Sequence, residues 1–177
     1  MGQYKKNSIE MFLKTDSPPI PGKSPVLMFG QDHFKDATSW VEIMTVTGNF
    51  MMMEGTSKGS EKIVHVGPDG HKGGPYPKWN HNADKMMFFS GTDPENLDDL
   101  GAHVEFHLGE GKNEEVFEFD GPRCIFIPKG VRHGPIYITR FRRNLNIFSV
   151  LGAPTREAAG IVVDFDYIAD EEKLNRV

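Results

Sequence analysis

The stretch Gly121-Pro-Arg-Cys-Ile-Phe-Ile-Pro128-Lys-Gly130-Val-Arg-His133-Gly-Pro-Ile-Tyr137 decides the fold. Cys124 to Ile127 reads as a strand that stops at Pro128, whose ring nitrogen has no proton to give to a ladder. Gly130 then permits a tight turn, and His133 opens a returning strand with its imidazole aimed at the interior.

Working outward, runs rich in β-branched and aromatic residues recur between Gly, Pro and Asp punctuation. They are Val26–Phe29, Trp40–Thr47, Phe50–Glu54, Lys62–Val66, Met86–Phe89, Ala102–Leu108, Glu115–Phe119, Cys124–Ile127, Ile136–Phe141, Asn146–Leu151 and Ile161–Tyr167. Short strands at this spacing predict an antiparallel sandwich or barrel. Helix is expected only near Ser8–Lys14 and near Thr155–Ala159 or Ala169–Asn175, and the long stretches Gly67–Asn82 and Gly91–Gly101 read as loops. Three prolines between Asp16 and Gly22 impose extended backbone on an N-terminal arm.

Composition narrows the function classes. A chain of 177 residues suits one domain that buries roughly 70% of its unfolded surface. With 20 basic against 25 acidic residues, a net charge of −5 and no basic run, nucleic acid is not an expected partner. The single cysteine, Cys124, forms no internal disulfide and no cysteine zinc cluster. No segment reaches the roughly 18 apolar residues of a membrane span, and Met1 to Lys14 lacks the apolar run of a signal peptide. A cytoplasmic protein with no membrane partner is the expectation.

The Gly121–Tyr137 stretch resembles the second cupin motif, G-x5-P-x-G-x2-H-x3-N, with one extra residue after the first Gly and Tyr137 in place of the final Asn. The first cupin motif, G-x5-H-x-H-x3,4-E-x6-G, aligns with Gly73, Trp79, His81, Lys85 and Gly91. Trp79 stands where the motif has its first His, and Lys85 stands where it has Glu, with Asp84 beside it. The loop from Gly91 to Gly101 and the strand after it resemble an insert of uncharacterised microbial single-domain cupins. The resemblance spans Gly73 to Leu151, a little under half the chain. It implies an all-β, double-stranded β-helix (jelly-roll) cupin barrel over residues 26–152 with short peripheral helices. Residues 1–25 are then an arm, and 153–177 an extension with one further strand.

It also implies that a central pocket holds a small organic molecule, lined by Trp79, His81 and His133. In complete cupins three His and one Glu hold a divalent ion such as Fe, Mn, Ni or Zn, which acts as a Lewis acid. Here only His81 and His133 match ligand positions. A third and fourth ligand can come from His103 and Glu105, which alternate with Val104 and Phe106 and share a face with His107. In the opposite reading Val104, Phe106 and Leu108 fill the core while the polar trio faces water, and the alternation favours it. Without a metal the barrel is a binding module, or an acid–base enzyme using Lys85, His81, His133 or Tyr137. The commoner role for Lys85 is a strand-borne lysine paired with Asp84 or another acid. Arg140, Arg142 and Arg143 either attract an anion to the rim or form a solvated face. A homodimer is expected, with the arm and the Ile161–Tyr167 strand crossing to a partner rather than leaving an open edge.

Overall fold

The computed structural model describes residues 24, 26–31, 33–52, 75–109 and 111–168, and for 50–52, 75–81, 156–157 and 161–168 it describes the backbone alone. Residues 1–23 and 25 of the arm, the Lys62–Val66 run and the helices expected at Ser8–Lys14 and Ala169–Asn175 lie outside these residues. Eleven strands follow in order: β1 Leu27–Phe29, β2 Trp40–Val46, β3 Phe50–Met52, β4 Pro75–His81, β5 Lys85–Gly91, β6 His103–Leu108, β7 Glu115–Phe119, β8 Arg123–Ile127, β9 His133–Thr139, β10 Leu145–Leu151 and β11 Ile161–Ile168. One helical turn, α1 Arg156–Ala159, precedes β11, and the Thr155 side chain caps it by accepting from the Ala158 amide at 3.1 Å.

The strands form two antiparallel sheets. One has the order β1-β2-β10-β5-β8, the other β11-β4-β9-β6-β7, with β3 also paired to β9. The turn after Pro128 therefore carries the chain from one sheet to the other, β8 to β9. This is the jelly-roll arrangement that the motif resemblance implied, and its nearly all-β composition is the one expected from the strand spacing.

The sheets are joined by alternation. Along β2 the inward residues are Trp40, Glu42, Met44 and Val46; along β10 they are Leu145, Ile147, Ser149 and Leu151; along β5 they are Lys85, Met87 and Phe89. From the facing sheet come Val104 and Phe106 of β6 and Ile136 and Ile138 of β9, all fully buried. Phe89 ties the layers, with its ring edge-on to Phe106 at 6.2 Å and to Phe119 at 5.3 Å between centroids.

Strand β4 occupies part of the stretch Gly67–Asn82 expected as a loop. Pro75 and Pro77 mask the strand pattern, and the ladder accommodates them locally. The pairing with β11 shifts register between Asp164 and Tyr167, which places the irregularity opposite Pro77, and β4 meets β9 at the single pair Trp79 and His133. Strand β11, expected to cross to a partner, pairs with β4 of its own chain. The loop after β5 is held by arginines: Arg142 donates to Asp99, and Arg143 to Asp93 and Asp99, each at 2.6 Å. The Gly101 amide and the Arg142 guanidinium hold the Asp99 carboxyl below its ordinary range.

Replacing Phe89 with Ala removes the ring shared by both sheets and is expected to cost about 3–5 kcal/mol of stability, measured by urea denaturation.

Candidate active site

Among the described residues, four polar side chains lie on the inward faces of the two sheets. Glu42, Lys85, His133 and Ser149 are all buried, between 0% and 5% exposed. Glu42 lies in register with Ser149 on β10, and Leu151, the next inward residue of β10, lies in register with Lys85 on β5. The long side chains of Glu42 and Lys85 reach across β10 and meet, Lys85 Nζ lying 3.6 Å from Glu42 Oε2. The Trp40 indole N–H donates to Glu42 Oε1 at 3.3 Å. Trp40 belongs to a small apolar cluster with Ala83, Leu151, Ala153 and Ala159, whereas Met44, Met87, Phe89 and Ile147 belong to the main core. The ion pair thus sits where the two clusters abut.

The acid that meets Lys85 is Glu42. Asp84, its sequence neighbour, is exposed and accepts from the Lys129 amide at 2.8 Å. Glu42 was legible in principle, because it shares strand parity with Trp40, Met44 and Val46. A charge on an apolar stripe is a signal of a buried partner.

His133 enters from the other sheet. It is 0% exposed, its ring lies parallel to Phe106 (6.4 Å between centroids, 5° between planes), and its Nδ1 lies 3.4 Å from the Val131 carbonyl. Its direction depends on a bulge. Between Phe106 and Leu108 strand β6 advances two residues while β9 advances three, from Ile136 back to His133. The extra residue falls at Gly134-Pro135, where Gly134 has φ 85°, a conformation open to glycine and strained for other residues. The bulge turns His133 onto the interior face shared by Ile136 and Ile138, and leaves Tyr137 on the opposite face.

There Tyr137 meets a second polar cluster. His107 lies 2.6 Å through Nε2 from Glu105 and 2.6 Å through Nδ1 from Glu114, and its ring stands edge-on to Tyr137 at 5.8 Å. Nearby His103 pairs with Asp120 at 3.2 Å. Packing selects the orientation of β6 in which Val104 and Phe106 enter the core. The polar trio on the other face is not simply hydrated, since His107 is buried between two carboxylates.

The sheet therefore separates the residues singled out as metal ligands, with His133 inside and His103 and Glu105 outside. Lys85 and Tyr137 are likewise on different sheets and different faces. The Trp79 and His81 side chains lie outside the described residues. Their backbone is on β4, next to β9, with Trp79 opposite His133 and His81 opposite Ile161. Among the described residues no group of three or more His, Cys, Asp or Glu converges as a metal site. Among the described residues the motif's acid position carries Lys85, which already engages Glu42, so these residues supply no ligand set for the motif's divalent ion.

No protein-family model and no curated protein matches the chain. Solved structures do. An oxalate oxidase in complex with the substrate analogue glycolate superposes with TM-score 0.53 at 9% identity, covering 91% of this chain and 64% of that one. An oxalate decarboxylase variant of Bacillus subtilis gives TM-score 0.52 at 11% identity, covering 85% of this chain and 30% of that one. The chain has the cupin fold. Peruvianin-I, a cysteine peptidase from Thevetia peruviana latex, is similar too, with TM-score 0.55 at 9% identity and coverage of 96% and 82%. This cupin-fold chain spans under two thirds of the length of the oxalate oxidase it matches, and such identities carry over the fold alone. Among its described residues no helix is long and apolar enough to cross a membrane.

Replacing Glu42 with Ala leaves the Lys85 ammonium buried without its carboxylate, at an expected cost of about 3–5 kcal/mol. Pairing Glu42→Leu with Lys85→Met is expected to recover most of that loss, as read by thermal and urea unfolding.

Proposed function

We propose that the chain binds a small polar organic molecule between its two sheets without a divalent metal, using Lys85, Glu42, Ser149 and His133 as its polar contacts. The observation that carries this reading is Lys85 at the motif's acid position, turned inward and paired with Glu42. Taking two charges out of water costs several kcal/mol per ion, and an apolar pair of similar volume would serve the core as well or better. Buried charge is concentrated where a fold binds or reacts. Trp79, on the strand beside His133, replaces a ligand of the motif with a large apolar ring suited to covering an organic molecule.

A second reading is supported by the same pair. A carboxylate and an ammonium 3.6 Å apart can take and return a proton at a bound substrate, which would make the chain a metal-free acid–base enzyme. Lys85 would then be the catalytic residue, with His81 and His133 positioned by the neighbouring strands β4 and β9. Tyr137 takes no part in either reading, because it lies on the opposite face of its sheet.

Small carboxylates are suitable first probes for the ammonium, and oxalate and glycolate head that panel because an oxalate oxidase shares the fold. Native mass spectrometry of the gently purified protein is expected to show a small organic adduct near one per chain, lost in Lys85→Met. A bare chain in both proteins, with no probe binding at millimolar concentration, would overturn the proposal.

A further inference from the structure

The inward polar residues of the five-stranded sheet are gathered at one end of it. Trp40 and Lys85 flank Leu151 in the last inward row, where β2 and β5 begin and β10 ends, and Glu42 and Ser149 stand side by side in the next. Lys85 thus enters the interior at an end of the sandwich, where Leu151 clusters with the small side chains Ala83, Ala153 and Ala159. Its ammonium is not fully committed there. Among the described residues the Lys85 side chain, 3% exposed, has Glu42 as its one ionic partner, at 3.6 Å, and donates no hydrogen bond. The hydroxyl of Ser149, 2% exposed and on the strand between them, makes none either. A buried ion pair that serves only the fold offsets its desolvation through hydrogen bonds that use up its protons. Here the N–H groups of the ammonium and a neighbouring hydroxyl are left over, and all of them can donate.

We propose, on the reading that this pair faces a bound organic molecule, that Lys85 is a nucleophile that joins a small aldehyde or ketone as an imine, with Glu42 moving its protons. A carbonyl oxygen accepts from the donors left over at Lys85 and Ser149 and adds no charge to a low-dielectric interior. The product keeps the charge pattern already built here. A protonated imine on Lys85 is a cation beside the Glu42 carboxylate, as the ammonium is, so no new charge has to be desolvated. The Lys85 ammonium first passes a proton to Glu42, and the freed lone pair forms the C–N bond while the carbonyl π pair moves to oxygen. That oxygen takes one proton from the nitrogen, by way of the Ser149 hydroxyl, and a second from Glu42. The C–O bond then breaks, water leaves, and the remaining nitrogen lone pair closes the C=N bond. An ammonium and a carbonyl have become a protonated imine and water, with Glu42 ionised again and nothing oxidised or reduced.

Incubation of the full chain with propanal or acetone and sodium cyanoborohydride, followed by peptide mapping, reads the reaction at each lysine. Lys85 should be alkylated faster than Lys112 and Lys129, which are exposed, although burial alone would make it the slowest. Glu42→Gln keeps the shape of the acid and removes its proton transfer, so it should slow Lys85 by about 100-fold, the lower end of what general acid–base help contributes. Lys112 and Lys129 should react as before, and far-UV circular dichroism reports whether the variant is folded. If it is not, the order of the lysines in the wild-type protein decides the matter. Lys85 labelled no faster than Lys112 and Lys129 by either probe, or labelled at the wild-type rate in folded Glu42→Gln, would overturn the imine. A non-covalent adduct still seen by native mass spectrometry in that case would leave the binding reading standing, so the two failures are told apart.

Discussion

A lysine and a glutamate held 3.6 Å apart between two apolar clusters set the terms for the rest of this molecule. Neither charge survives there alone, so the β2, β10 and β5 registers that bring them together are constrained by more than hydrophobic contact. A slip of one residue along β2 or β5 would turn one member outward and leave the other buried and unpaired. Trp40 adds a donor to the glutamate from the same strand face. The pair thus favours the register of the sheet on whose inner side the proposed site lies.

The second constraint is the bulge at Gly134-Pro135. Without it, His133 and Tyr137 would share a face of β9, four residues apart, and the imidazole could not enter the interior while Ile136 and Ile138 fill it. With it, one strand supplies the core, a buried histidine inside and a buried tyrosine outside. The outer cluster of Tyr137, His107, Glu105 and Glu114 braces β6 against the chain that leads into β7. His107 is engaged at both ring nitrogens by Glu105 and Glu114, on the face of the sheet opposite His133.

Much of the architecture was legible in the residues, because strand signals in a sandwich are local. Glu115–Phe119 and Asn146–Leu151 announce themselves by composition, and the Pro128, Gly130 and His133 spacing marks the crossing between sheets. Strand β4 was hidden by Pro75 and Pro77, which suppress strand propensity yet are tolerated where pairing is irregular. The site was legible in part. Lys85 and His133 stand out by motif position, while Glu42 stands out only once the parity of β2 is weighed against its burial. The two faces of β9 could not be told apart from alternation, since one inserted residue reverses them and only the register with β6 reveals it.

The central claim is that a buried ion pair stands in this cupin fold where the motif would place a metal and its acid ligand. Titration of chelator-treated protein with Mn, Fe, Ni or Zn ions, followed by calorimetry and by elemental analysis after dialysis, tests it most directly. The account predicts well under one ion retained per chain for each metal. Retention of one ion per chain, lost when His81 and His133 are replaced by Ala in a protein that stays folded, would contradict it.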